Sequence, residues 1–373
     1  MDQPCSLKFL TERSIAIHLF KVHIRWRKLT DVAYALRDVL DQLSLAPKLV
    51  NNLRDQVAEV LREMKRWDEK HSEMFIDPGK LCAKRRAMSR NEHLRTFYKH
   101  VIWKINRIEV NDFTTALHLM ETECKNWRQM QFQFACLYAM ENWVKDDWKF
   151  DKYRRITFKK QLSDHPVYDF WLTLLESRPD RLFDTDRRSP NQKLTQCFAF
   201  AITHGYQQLV EYIWNRIGNA HRESVGLLRW RSLCFRNRDR GTMQFLCHKL
   251  CAINPIGMSR ITWTSFFEAF YRSIEGDESD VVVQNKFKKR FEFLLENACP
   301  ILRSRLLKME NFRILSDAFR YNLVDVFAQI LEHLNPDEMK NAREVVDRIH
   351  KRKQSKDGEV LRRQMMRKQM TIN

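Results

Sequence analysis

The segment "CFAFAITHGYQQLVEYIW", Cys197–Trp214, places a single glycine among helix-forming residues, in a chain with only eight glycines. A residue just past a helix C-terminus commonly turns left-handed, a conformation that glycine reaches without a Cβ penalty. The pattern predicts a helix that stops at Gly205 and a second helix, "YQQLVEYIW", that folds back on it. Ala201 is small where the two helices must approach. Phe198, Leu209, Val210, Ile213 and Trp214 supply the apolar faces of the hairpin.

A hairpin used as a repeat recurs at a fixed period. A shift of 36 takes Gly205 to Gly241 and Leu209–Val210 to Phe245–Leu246. A shift of 117 takes Gly205 to Asn322, Ala201 to Ala318, Val210 to Phe327 and Ile213–Trp214 to Ile330–Leu331. Asparagine is the next residue after glycine to tolerate a left-handed turn. A shift back by 66 takes Phe198 to Phe132 and Ala201 to Ala135, with Ala139 at the turn, a poorer fit. A further hairpin is expected between Trp263 and Ala298, with "EGDESD" in its turn.

The order of Phe198, Ala201, Gly205, Leu209–Val210 and Tyr212–Ile213–Trp214 resembles the ankyrin repeat, in its degenerate, divergent invertebrate form. The resemblance is strongest over 190–217, weaker over 230–252 and 312–334, and faint over 128–150; it covers about half of the chain. It implies stacked helical hairpins, an extended binding surface and a partner that is a protein. The place of the family's Thr-Pro-Leu-His tetrapeptide reads "QCFA", and the Gly/Asp-rich fingers are absent. The family's finger-borne mode of binding is therefore not implied. A looser helical solenoid and an ordinary helical bundle remain open.

Helix signals run along most of the chain. Thr11 is expected to cap a first helix carrying Ile15, Ile17, Phe20 and Ile24. A second is expected over Asp31–Leu43, and Pro47 opens a third. In that third helix Val50, Leu53, Val57, Val60, Met64 and Trp67 are spaced 3, 4, 3, 4 and 3, a stripe suited to a coiled-coil seam or to neighbouring helices. Ser89 and Glu92 form a capping box for a helix expected to reach about Glu109. Pro166, Pro190 and Pro336 mark three later starts. "FIDPGKL", Phe75–Leu81, reads as a boundary. The expected organisation is a helical N-terminal region at 1–78, a repeat array at 79–335, and a basic capping helix and tail at 336–373. The predicted fold is all-α, an α-solenoid of degenerate ankyrin-like hairpins behind a helical N-terminal region.

Composition bounds the chemistry. With 373 residues and 44% hydrophobic content the chain has ample material for a core, which excludes intrinsic disorder. The scarcity of glycine argues against phosphate-cradling loops and tight hairpins. No P-loop, dinucleotide turn, His-Glu-x-x-His or Gly-x-Ser-x-Gly motif occurs, so the chain reads as a non-enzyme without a cofactor. Nine cysteines, most of them within predicted helices, suit buried thiols in a reducing compartment, cytoplasmic or nuclear. Cys247, His248 and Cys251 offer a partial metal-ligand spacing with no second pair nearby, and buried cysteines explain the pattern as well. No secretory signal and no membrane-length apolar run is visible, so no membrane insertion is expected.

The net charge of +19 draws the chain towards anionic partners. Arg229, Arg231, Arg236, Arg238 and Arg240 form its strongest candidate for a basic surface, suited to phosphates or an acidic peptide, or to a solvated flank of a core helix. The tail from His350 adds Lys351, Arg352 and Lys353, a run of the kind used for nuclear import. The expected function is a protein–protein adaptor or scaffold for an unidentified, acidic partner. The alternative is a helical repeat protein that binds nucleic acid through its basic surface.

Overall fold

A computed structural model describes residues 6–24, 28–75, 97–149, 162–176, 191–218 and 300–353, with isolated positions among 155–160, 182–183, 222–249 and 281–292. Its regular elements are helical; among the described residues the β-structure is a single antiparallel bridge, Trp103–Val110. The chain divides into two compact units, Met1–Leu182 and Phe183–Asn373.

The first unit begins with three mutually packed helices, α1 (Leu7–His23), α2 (Leu29–Asp41) and α3 (Pro47–His71). Ser6, rather than Thr11, caps α1: its side chain accepts from Phe9 N at 3.2 Å, while the Thr11 hydroxyl donates to Leu7 O inside the helix. The heptad-like stripe of α3 is buried from Val50 to Trp67. Helix α3 packs on α1 and α2, and Trp67 meets Tyr98 edge-on, so neighbouring segments of the same unit account for the stripe.

The helix expected to run to Glu109 gives way to a tight loop. Lys104 N donates to Glu109 O at 2.8 Å and Asn111 N to Ile102 O at 2.8 Å, closing the bridge. Asn111 then caps α4 (Asp112–Glu121), its side chain accepting from Thr114 N at 3.2 Å. After α4 come α5 (Arg128–Leu137), α6 (Glu141–Lys149) and α7 (Pro166–Glu176), the last opened by its proline as expected. Every residue from Met130 to Leu137 is buried. Gln131 and Gln133 stay satisfied there by donating to Met120 O at 2.8 Å and Met74 O at 3.2 Å. Trp171 of α7 donates its indole N–H to Cys136 O at 2.9 Å.

The expected boundary at Phe75–Lys80 does not separate two cores. Side chains of α3 bond directly to Asp112 and Tyr138, and both lie in the first unit.

The second unit contains α8 (Gln192–His204), α9 (Gln207–Trp214), α10 (Pro300–Arg320), α11 (Val324–Glu332) and α12 (Pro336–Lys353). Asn191 caps α8, and Pro190 lies outside the described residues. Helix α10 is broken at Met309–Phe312, where Glu310, Asn311 and Phe312 turn left-handed. A reciprocal capping box opens α12: Glu338 N donates to Asn335 Oδ1 at 2.9 Å, and Asn335 N to Glu338 Oε2 at 3.0 Å. Helix α12 packs on α10, with Lys308 paired to Glu338.

Candidate functional site

Two constructions stand out: a hairpin turn used three times, and a buried ionic cluster on α3.

The turn is built the same way at Ala139, Gly205 and Asn322, where φ is 51°, 73° and 54°. In each case the amide after the left-handed residue donates to an alanine carbonyl five residues back. These bonds are Met140 N to Ala135 O at 2.8 Å, Tyr206 N to Ala201 O at 2.9 Å, and Leu323 N to Ala318 O at 2.9 Å. The left-handed residue's own amide reaches the carbonyl three back, at 3.4, 3.4 and 3.2 Å. This is the Schellman arrangement, which satisfies carbonyls that a helix end would otherwise leave bare. The residue after the turn then starts the returning helix, its carbonyl accepting from Val144, Val210 or Phe327.

The three alanines are fully buried, as are Phe132, Phe198 and Leu315 one turn earlier. Alanine thus stands, fully buried, at the carbonyl that closes each of the three turns. Phe198, Ala201, Leu209, Val210, Ile213 and Trp214 are all buried in or around the α8–α9 hairpin. Phe198 and Trp214 have ring centroids 6.4 Å apart.

Gly241 is different. It opens a helix instead of ending one. Asp239 caps that helix, accepting from Thr242 N at 2.8 Å and from the Thr242 hydroxyl at 2.6 Å, and Gly241 does not take a positive φ. A Cβ here would stand 1.9 Å from Gln207 Oε1, the end of a flexible side chain that would have to move aside.

The ionic cluster lies on a side of α3 that the apolar stripe does not use. Arg66 forms a two-pronged bond to Asp112, Nη1 to Oδ2 at 3.0 Å and Nη2 to Oδ1 at 2.7 Å, and its Nε sits 2.9 Å from both Glu63 oxygens. Lys70 Nζ is 2.5 Å from Asp112 Oδ2. Glu63 also accepts from Val110 N at 2.8 Å, which ties the loop to the helix. Burial alone would push the Asp112 carboxyl up, but the adjacent Arg66 and Lys70 charges outweigh it and hold it well below the carboxylate range. Burial likewise works against the Arg66 charge, and Asp112 and Glu63 overcome it. For Glu63 burial prevails over Arg66, and the carboxyl is raised.

His71 closes the cluster. Its Nδ1 is 2.7 Å from Trp67 O, and a carbonyl only accepts, so Nδ1 carries the proton. Nε2, 2.6 Å from Tyr138 Oη, then accepts from the phenol. That is a neutral ring, in keeping with a pKa depressed to about 3 by full burial, against the opposing pull of Asp112. The residues saturate one another, so the cluster acts as a clamp that fixes α3 to α4 and α5.

Sequence reasoning missed this clamp. Glu63, Arg66 and Lys70, spaced 3 and 4 apart, look like any solvated helix flank, and nothing in that spacing points to the acid at the start of α4 that Arg66 and Lys70 share.

The arginines Arg229, Arg231, Arg236, Arg238 and Arg240 lie outside the described residues, as do Cys247, His248 and Cys251, the Trp263–Ala298 turn, and the Ser89–Glu92 capping box. Among the described residues no group of three His, Cys, Asp or Glu side chains is placed to hold a metal ion, and no helix is long and apolar enough to cross a membrane. Cys124, Cys136 and Cys197 are buried; burial pushes the Cys124 thiol up to about 12 and the Cys197 thiol well above its ordinary value. No family model, curated protein or solved structure matches this chain.

Proposed function

We propose that the chain is a non-catalytic adaptor or scaffold, built from degenerate ankyrin-like helical hairpins that stack as an α-solenoid and present an extended surface to a protein partner. The observation that supports this reading is the hairpin turn with the same hydrogen bonds and the same buried alanine at Ala139, Gly205 and Asn322. A unit reused at this level of detail is what a repeat architecture requires, because each hairpin must bury its faces against the next. Cysteines buried within helices suit a reducing compartment, cytoplasmic or nuclear. A net charge of +19 favours an acidic partner and keeps a second reading in play, nucleic-acid binding by the basic surface.

Affinity capture with the full chain at low and moderate salt, with and without nuclease, tests the reading. A discrete protein retained through nuclease and moderate salt is the expected result. Nucleic acid retained at low salt and released steeply as salt rises would replace the adaptor reading with the second one.

A further inference from the structure

We infer that two copies of this chain exchange their C-terminal segments, Phe312–Lys353, by opening the break in α10. The break spans Met309–Phe312, with φ of 46°, 55° and 60° at Glu310, Asn311 and Phe312. Left-handed backbone brings the Cβ of an L-residue too close to the following carbonyl oxygen. Glycine, and sometimes asparagine, visits this region as a single residue, as at Gly205 and Asn322. Here three such residues follow one another and none is glycine. A run of this kind persists only where its surroundings hold it. They do: Phe312 is buried, as are Leu306 and Leu307 before the break and Ile314 and Leu315 after it.

The local sequence favours an unbroken helix. From Ile301 to Arg320 it has neither proline nor glycine, the two residues that most oppose one. Arg313 pairs with Glu310 at 3.1 Å and with Asp317 at 3.8 Å, and a continuous helix also brings residues at these spacings of 3 and 4 together. A straight α10 of 21 residues would remove all three left-handed residues and extend about 30 Å. It would carry everything after the break away from its own copy.

Two contacts close across the break. Lys308 pairs with Glu338, and Arg303 Nη1 lies 3.5 Å from His333 Nε2. Helix α12 as a whole packs on α10. A straightened chain gives up the partners that lie beyond the break, and a segment of identical sequence restores them all. A second copy brings that segment. Exchange therefore keeps the native contacts, now made between copies, and relieves the backbone in both. A short hinge under strain is the feature that favours such dimers. The break is distinct from the turns at Ala139, Gly205 and Asn322, so the inference stands or falls independently of the adaptor reading.

The test unfolds the full chain in urea, refolds it at high concentration and resolves the products by size-exclusion chromatography with light scattering. A monomer and a slowly interconverting dimer are expected. Lys308→Glu in one tagged copy and Glu338→Lys in another set like charges together within a monomer or a homodimer. A mixed, exchanged dimer pairs opposite charges at both sites. Refolded together, these copies should form the mixed dimer at least about tenfold in excess of either homodimer. Glu310→Gly combined with Asn311→Gly, at exposed positions, relieves the break and weakens the straight helix. This pair should raise the dimer dissociation constant by about a hundredfold or more, and it decides the question if Glu338→Lys disturbs the start of α12. Asn311→Ala, a better helix former and a poorer left-handed residue, should lower that constant by about tenfold. A chain that stays monomeric at every concentration, a mixed dimer at its statistical share, or a dimer indifferent to the glycine pair would overturn the inference.

Discussion

Ala139 performs the same turn as Gly205 with a side chain that disfavours it. An L-residue pays about 1–2 kcal/mol in the left-handed region, while glycine pays about 0.4–1 kcal/mol in the entropy of the unfolded chain. The two positions should therefore respond in opposite senses. Ala139→Gly is expected to raise stability by about 1 kcal/mol and Gly205→Ala to lower it by about as much. Urea midpoints decide this, and a destabilised Ala139→Gly would show that the methyl group contributes packing that outweighs its backbone cost. His71 supplies a second residue-level test. Its pKa falls from 6.5 to about 3 on folding, so between those values the unfolded chain binds the extra proton. Stability should fall as pH drops from about 6.5 towards 3, by up to about 1.4 kcal/mol per pH unit for this one group. Asp112, depressed on folding, adds loss of the same sign below the ordinary carboxylate range. Glu63, raised on folding, contributes stability that fades as pH climbs above 4.5, opposing the trend there. Thermal midpoints across pH, compared with His71→Gln, isolate the histidine; an unchanged slope in the variant would assign the pH dependence elsewhere.

Between elements, the joint of α3 with α4 depends on charge. Asp112 answers two cations at once, so Asp112→Asn leaves Arg66 with Glu63 as its carboxylate and Lys70 facing a neutral amide. Breaking a buried pair in this way costs about 3–5 kcal/mol. Arg66→Met removes the other partner, and the double variant should lose less than the sum of the two single losses, by about 1 kcal/mol or more. Additive losses in chemical denaturation would mean that the pair is not coupled. Such a joint escapes periodicity, because a charge at every third or fourth position is also how a solvated helix flank is written. Where burial follows an apolar pattern, the sequence was sufficient: the stripe from Val50 to Trp67 is buried throughout. Where turn chemistry decides, Gly205 and Asn322 take a positive φ, whereas Asp239 beside Gly241 caps a helix start. The segment around Ile102 and Ile108 carries apolar residues at helical intervals, yet the bridge between Trp103 and Val110 overrides them.

The two compact units give the chain as a whole a testable division. Residues Met1–Leu182 contain the three-helix packing, the clamp and the first left-handed hairpin, with all the clamp's partners inside that span. Expressed alone, this segment is expected to be helical by circular dichroism, to unfold in one cooperative transition, and to lose stability on Asp112→Asn as the full chain does. A non-cooperative fragment would mean that it needs the remainder of the chain to fold. The sequence suggested a border some hundred residues earlier, at the proline–glycine break, because composition marks loops readily and carries no record of which cores they join.

From Met130 to Leu137 every side chain of helix α5 is buried, down to two glutamines whose amides are claimed by carbonyls of other elements. Solvent has no partial route to its backbone. Its amide protons can trade for deuterium only when the surrounding unit comes apart together. Met130–Leu137 thus forms a built-in clock, whose common exchange rate reads out the opening free energy of the first unit without any denaturant.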